Sequence, residues 1–254
     1  MKHKKILNSY IEEAYQLFSS YAIDKHLSVC DCGNCITLAE IEDLVHTPLR
    51  ELTIQQVGTY VDAMLATTDK AIIEVHYFLP RMLEFLTERK VFYIDEGFSL
   101  SKCHFDHTNL WKPAEIAFLE RFSLAFFEEI LSEENFELTT AEDWLVCFGL
   151  GGLPIQPLLD CWTNNAHKIG AIRHFQEIFQ HSIKPKEIVF HHIYFEKVPE
   201  LNKQLTLWLN TPLTLQVFYK SVEDLLLSDI PLNEGLVYQL ENMYDVLGVE
   251  LKKR

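Results

Sequence analysis

Six residues hold half of this chain's cysteines: Cys30-Asp31-Cys32-Gly33-Asn34-Cys35 carries three of the six. Thiols this close suit a metal ion, a thiol-disulfide exchange or a tightly packed turn. Zinc held by thiolate and imidazole is four-coordinate, so Cys30, Cys32 and Cys35 need one further ligand. His26 stands one helical turn before Cys30 if that segment is helical, and a second cluster follows at Cys103-His104-Phe105-Asp106-His107. We take His104 from that cluster as the fourth ligand of a structural zinc site. Gly33 and Asn34 allow the reversal that brings Cys32 and Cys35 together. The competing reading is that the three cysteines are small apolar fillers, since free Cys is among the most buried residue types.

Other candidates are weaker. A catalytic thiol wants a neighbouring His and a positive setting to lower its pKa, and the Asp31 charge works against that setting. His191 and His192 are adjacent and point to different faces. His167, His174 and His181 recur at seven residues and read as a solvated stripe on one helix face. Cys147 and Cys161 lie among Trp144, Phe148, Leu158 and Trp162, where core packing accounts for them. Gly149-Leu150-Gly151-Gly152 has no preceding strand and no Lys, so it reads as a helix stop. No phosphate-cradling loop, His-Glu-x-x-His or Gly-x-Ser-x-Gly is present.

The elements that must position these groups are helices. Ile6/Leu7, Tyr10/Ile11, Ala14 and Leu17/Phe18 form one apolar stripe. Thr37 caps the next helix with Glu40 three residues on, a capping box, and Pro48 ends it. Thr53 starts a third helix. Ile72–Leu86 reads as a fourth, with Pro80 expected to kink or divide it. Pro113 opens a helix to about Leu131, with Glu115 at the positive end of its dipole. Further helices are expected around Trp144–Leu150, Leu158–Ala166, Ile169–Phe179, Leu201–Leu209, Leu213–Leu227 and Leu236–Leu247. Val91–Ile94 and Ile188–Phe195 could be short strands. The pattern predicts an all-α chain, an irregular bundle or HEAT-like stacked helical hairpins, as a single domain over residues 1–254.

The segment Cys30–Cys35, followed by Pro48-Leu49-Arg50-Glu51-Leu52-Thr53 and Phe78-Leu79-Pro80-Arg81, resembles an uncharacterised family of bacterial all-helical proteins. The resemblance covers about the first third of the chain, with a weaker echo in Trp144–Trp162. It implies a bacterial origin and a helical fold, and no activity.

Of 254 residues, 48% are hydrophobic, so a continuous core is available; the net charge is −15, from 37 acids against 22 Lys and Arg. Nine acids fall between Glu115 and Asp143 against the one base Arg121. Such a field disfavours nucleic acid, whose phosphates need positive charge, and suits a basic protein. Glu128, Glu129, Glu133, Glu134 and Glu137 are the expected contact residues. No secretory signal is recognisable and no run approaches the ~20 apolar residues of a membrane span, so a cytoplasmic location is expected. The sequence therefore suggests a non-enzymatic interaction protein, an immunity protein or inhibitor that masks a basic toxin, with structural zinc. The alternative is a metal-dependent hydrolase that joins Cys30–Cys35 to Cys103, His104 and His107.

Overall fold

The computed structural model describes residues 2–65, 69–90, 100–107, 109–134, 139–184, 187–189, 191, 195–196 and 198–253. They form an all-α protein with eleven α-helices among the described residues. The chain divides into two compact units, Met1–Phe126 with Cys147–Leu153, and Phe127–Val146 with Pro154–Arg254.

The first unit contains α1 (Lys2–Leu17), α2 (Leu38–His46), a 3₁₀ turn at Leu49–Glu51, α3 (Ile54–Ala63), α4 (Asp69–Thr87) and most of α5 (Pro113–Ile130). Local chemistry sets several of these boundaries. Both α2 and α3 open with reciprocal capping boxes, Thr37 with Glu40 and Thr53 with Gln56. In each, the threonine hydroxyl accepts an otherwise orphaned N–H and the side chain at the third helical position returns the bond. The α1 stripe Leu7, Ile11, Ala14 and Phe18 is buried as the periodicity requires, and α1 packs on α4.

Pro80 does not divide α4, which runs unbroken through it. A proline inside a helix removes one hydrogen bond and costs about 3 kcal/mol. Val75, Phe78, Leu79, Met82, Leu83 and Leu86 are all almost wholly buried around it. At about 2 kcal/mol for each large apolar side chain removed from water, that burial on both sides outweighs the proline's cost.

The second unit holds the end of α5, the start of α6 (Ala141–Leu150), α7 (Gln156–Asn164), α8 (Ile169–Ser182), α9 (Pro199–Leu209), α10 (Pro212–Leu226) and α11 (Glu234–Lys252). Its core is aromatic: Phe175 of α8 lies face to face with Phe218 of α10, ring centroids 3.6 Å apart, with Trp162 and Trp208 beside them. The α10 and α11 pair is closed by a Tyr219–Tyr244 stack at 4.4 Å, the hydroxyls 2.7 Å apart. The expected strand at Ile188–Phe195 contributes only Ile188 among the described residues. It belongs to a two-residue hairpin, β1 (Ile183–Lys184) against β2 (Glu187–Ile188). The other expected strand, Val91–Ile94, lies outside the described residues.

The N-terminus of α8 is set against the loop after α5. Gly170 leaves no room for a side chain: a Cβ there would collide with the Glu133 carbonyl oxygen and lie 2.8 Å from that of Leu131. Both obstacles are backbone, so they yield only if the loop moves. Gly170→Ala is expected to destabilise the second unit by about 2–3 kcal/mol, as overpacking of a rigid site does. A denaturant melt checks it; a midpoint equal to the parent's would show that the loop yields freely.

Candidate metal centre

The cysteine run is presented on a loop clamped at both ends. On the entering side, the Ser28 N–H donates to both carboxylate oxygens of Glu74, at 2.8 and 2.9 Å. The Tyr60 hydroxyl donates to the same carboxylate at 3.2 Å. Glu74 is buried, and burial raises its carboxyl above the ordinary value against the opposing bonds from Ser28 and Tyr60. Two backbone bonds then fasten the chain to the end of α3: Leu65 N–H to the Ser28 carbonyl and Cys30 N–H to the Ala63 carbonyl, both 2.8 Å. On the leaving side Ile36 is buried and Thr37 caps α2. Between these anchors Gly33, at φ +73°, makes the left-handed turn that a glycine adopts without strain.

The three thiols converge. Their sulfurs all lie within 4.8 Å of one another, and Cys32 and Cys35 are 3.5 Å apart. Zinc–sulfur bonds of about 2.3 Å at tetrahedral angles place sulfurs about 3.8 Å apart, so the run is close to three corners of a tetrahedron. Cys32 and Cys35 are exposed and Cys30 half-buried, which contradicts the reading of all three as core fillers.

Hydrogen bonding polarises the cluster. The Cys32 thiol is lowered to about 7, first by the Cys30 thiol and then by the Asn34 and Cys35 N–H groups. Cys35 is raised to about 11, because it donates to Cys32 and Cys30 and faces their negative charge. A cation that displaces the thiol protons completes the set. Lys102 adds positive charge nearby. Its ammonium donates to the Val61 and Asp62 carbonyls at 2.7 and 3.0 Å, closing the end of α3, and it lies within electrostatic reach of Cys35. The sequence reading missed Lys102 and Glu74, because neither has a local pattern that ties it to the cysteines.

The fourth ligand expected at His104 is not assembled here. The His104 ring belongs with Asp106 and His107 in a separate group, and among the described residues no other His, Cys or carboxylate joins the three thiols within the same reach. The two groups come from segments about seventy residues apart, and His104 sits at φ +51° between buried Cys103 and buried Phe105. Cys103, which the hydrolase alternative needed beside His104 and His107, is in the core, and burial pushes its thiol far up. His26 is not on a helix either. Its segment is irregular, held by Asp24 Oδ1 accepting the His26 N–H at 2.6 Å and by Lys70 donating to its carbonyl. Beside the thiols, Lys25, His26, Cys30, Asp31, Ile36 and Leu38 line a groove of about 420 Å³.

The remaining candidates separate in the same way. His174 is buried while His167 and His181 are exposed, so the supposed solvated stripe is not one. Cys147 is in the core and Cys161 is half-buried. The Gly149–Gly152 run does stop α6, with Gly152 at φ +96°.

The acidic region is partly occupied by its own chain. The Glu128 carboxylate is 3.6 Å from the Lys168 ammonium, and the Arg173 guanidinium donates to the Glu134 carbonyl. Glu129 and Glu133 are half-buried, Glu134 is exposed, and Glu137 lies outside the described residues. Glu115 and Glu142, part of the same acidic count, are drawn inward, Glu115 almost completely. No helix among the described residues is long and apolar enough to cross a membrane. Compared with known proteins, the chain matches no family model, no curated protein and no solved structure.

Proposed function

We propose that the protein binds zinc through the Cys30, Cys32 and Cys35 thiolates. The observation that carries this reading is the mutual approach of three sulfurs on a loop whose two ends are fixed by bonds that do not involve the sulfurs. Preorganisation of this kind lowers the ordering cost of binding. The fourth position opens to solvent and is filled by water or by an external donor. With the metal in place, the loop between Ser28 and Thr37 becomes a rigid connection between α3 and α2.

Mass spectrometry of metal content on reduced, chelator-free and tag-free protein tests it. About one zinc per chain is expected in the parent, and none in the Cys30/Cys32/Cys35→Ser variant. Equal metal content in the two proteins would sink the proposal.

The 3.5 Å separation of Cys32 and Cys35 and their oppositely displaced acidities favour a second reading. The Cys32 thiolate would attack a disulfide substrate and release one thiol. Cys35 would then displace the other, leaving a Cys32–Cys35 disulfide and a substrate reduced by two electrons. A metal-free protein that reduces a model disulfide, and loses this activity in Cys32→Ser, would favour this chemistry over zinc.

A further inference from the structure

The turn after the 91–99 segment carries chemistry that the thiol site does not use. From Cys103 to His107 the side chains divide between inside and outside. Cys103 and Phe105 are buried, His104 is half-buried, and Asp106 and His107 are exposed. The turn is pinned from beneath. The Phe105 N–H donates to the Gly151 carbonyl at 2.7 Å, and the Phe105 ring meets Trp111 edge-on at 4.9 Å. Trp111 Nε1–H donates to the His104 carbonyl at 3.1 Å, and the His107 N–H closes the turn on that same carbonyl at 3.0 Å.

Held this way, one nitrogen each from His104 and His107 and one carboxylate oxygen of Asp106 all lie within 4.8 Å of one another. The two imidazoles are nearly parallel, 5.0 Å between centroids. The arrangement is specified from two directions. His104 occupies the left-handed region, which a non-glycine residue keeps only when its surroundings impose it. Gly152, also at positive φ, gives Asp106 room: a Cβ there would lie 2.6 Å from Asp106 Oδ1 and 2.7 Å from its backbone nitrogen.

We propose that His104, Asp106 and His107 form a second metal site, for a first-row divalent cation of borderline hardness such as Zn²⁺, Co²⁺ or Ni²⁺, separate from the thiol cluster. Two imidazoles and a carboxylate are the donors such ions take, whereas Mg²⁺ and Ca²⁺ prefer oxygen alone. Ligand atoms on a metal with tetrahedral bonds of about 2.1 Å stand roughly 3.4 Å apart, so donors already within 4.8 Å of one another need only a short approach to close around an ion. Three protein donors leave at least one position open to water. The two sites also differ in softness: the thiols take the softer ions, and this turn takes those that imidazole and carboxylate suit.

Cobalt separates the sites by spectrum. Thiolate-bound Co²⁺ shows intense sulfur-to-metal charge transfer, while a nitrogen and oxygen site shows only weak ligand-field bands. Titration of the reduced, full-length chain with Co²⁺ is expected to give one equivalent without charge transfer, beside whatever the thiols bind. His104→Ala/His107→Ala removes that equivalent and leaves any charge-transfer band intact. Asp106→Asn weakens it by at least about tenfold. If only a charge-transfer species forms, or if the weak-band equivalent survives the double histidine variant, the second site is refuted. One equivalent, lacking charge transfer and lost with the histidines, would uphold this site while rejecting the thiol one. The parent chain supplies the deciding spectra, and circular dichroism of the double variant confirms that loss of metal is not loss of fold.

Discussion

Replacing Glu115 by alanine is expected to lower the stability of the first unit by about 2–4 kcal/mol, the cost of leaving the donors bonded to a buried carboxylate without their acceptor. The carboxylate is about 1% exposed and ties together three segments distant in sequence. Oε1 accepts from the Tyr21 hydroxyl at 2.6 Å, and Oε2 accepts from the Lys112 N–H at 2.8 Å, capping the start of α5. His76 Nε2 stands 3.3 Å from Oε2, and its ring lies between Tyr21 at 4.3 Å and Trp111 at 3.9 Å. Alanine would leave a phenol and a backbone N–H without their acceptor beside the buried His76 ring. Glu115→Gln keeps the size and one acceptor, so about 1–3 kcal/mol is expected.

The acid response supplies a second readout. Burial alone would raise the Glu115 carboxyl, but Tyr21, the Lys112 N–H, His76 and the Lys112 ammonium outweigh it and hold it below 4.5. The folded protein therefore binds this proton less readily than the unfolded chain. The stabilisation is complete above pH 4.5 and is lost as pH falls through the lower folded value. Glu115→Gln should remove that part of the acid loss. Urea unfolding of both proteins at neutral and acid pH checks it. A Glu115→Ala variant within about 1 kcal/mol of the parent would overturn the assignment of Glu115 as the hub.

His174 plays the corresponding part in the second unit, and its loss is expected to cost about 3 kcal/mol from two orphaned backbone groups and the cavity left behind. Nδ1 accepts the Ala141 N–H at 3.2 Å, and Nε2 faces the Ile130 carbonyl at 3.3 Å as donor. A neutral imidazole thus joins the end of α5 to the start of α6. Burial, chiefly, drops its pKa from 6.5 to about 3, with the Ile130 carbonyl opposing and the Arg173 charge assisting. Between those values the unfolded chain holds a proton that the folded protein does not. Stability from this group therefore rises with pH by at most about 1.4 kcal/mol per unit across that window.

Glu142 has the opposite sign. Burial and the Asp143 charge raise it from 4.5 to about 7, so the folded protein holds the extra proton and stability falls as pH rises between those values. Between pH 4.5 and 6.5 the two slopes cancel. Removing either group should expose the other: His174→Gln becomes less stable toward neutral pH, and Glu142→Gln becomes more stable. Urea midpoints for both variants between pH 4.5 and 7 decide the matter. Parallel profiles for the two variants would show that neither group has this role.

The site was legible in the sequence to the extent that it is local. Cys30, Cys32 and Cys35 come together because only five peptide bonds separate the first from the last and one glycine permits the turn, and the composition of the run announces the chemistry. The expected fourth ligand failed because His104 and the thiols are about seventy residues apart in sequence, and no pattern encodes how such segments meet. Asp106 was visible as part of a cluster but not as a ligand. Its role follows from the left-handed turn at His104 and the bare backbone of Gly152, neither of which leaves a periodic trace.

The same division runs through the whole chain. Helix identity, the capping boxes at Thr37 and Thr53 and the stop at Gly151-Gly152 were determined by the sequence itself, because a cap or an apolar stripe acts within one or two turns of its own residues. Tertiary structure alone decided the continuity of α4 through Pro80, since that rests on burial by other helices. It decided which of three histidines seven residues apart lies in the core. It also offset the Glu128 carboxylate at the unfavourable end of α5, where Lys168 arrives from about forty residues downstream. Local rules run out there, because charge and burial depend on distance in space and a sequence pattern records only distance along the chain.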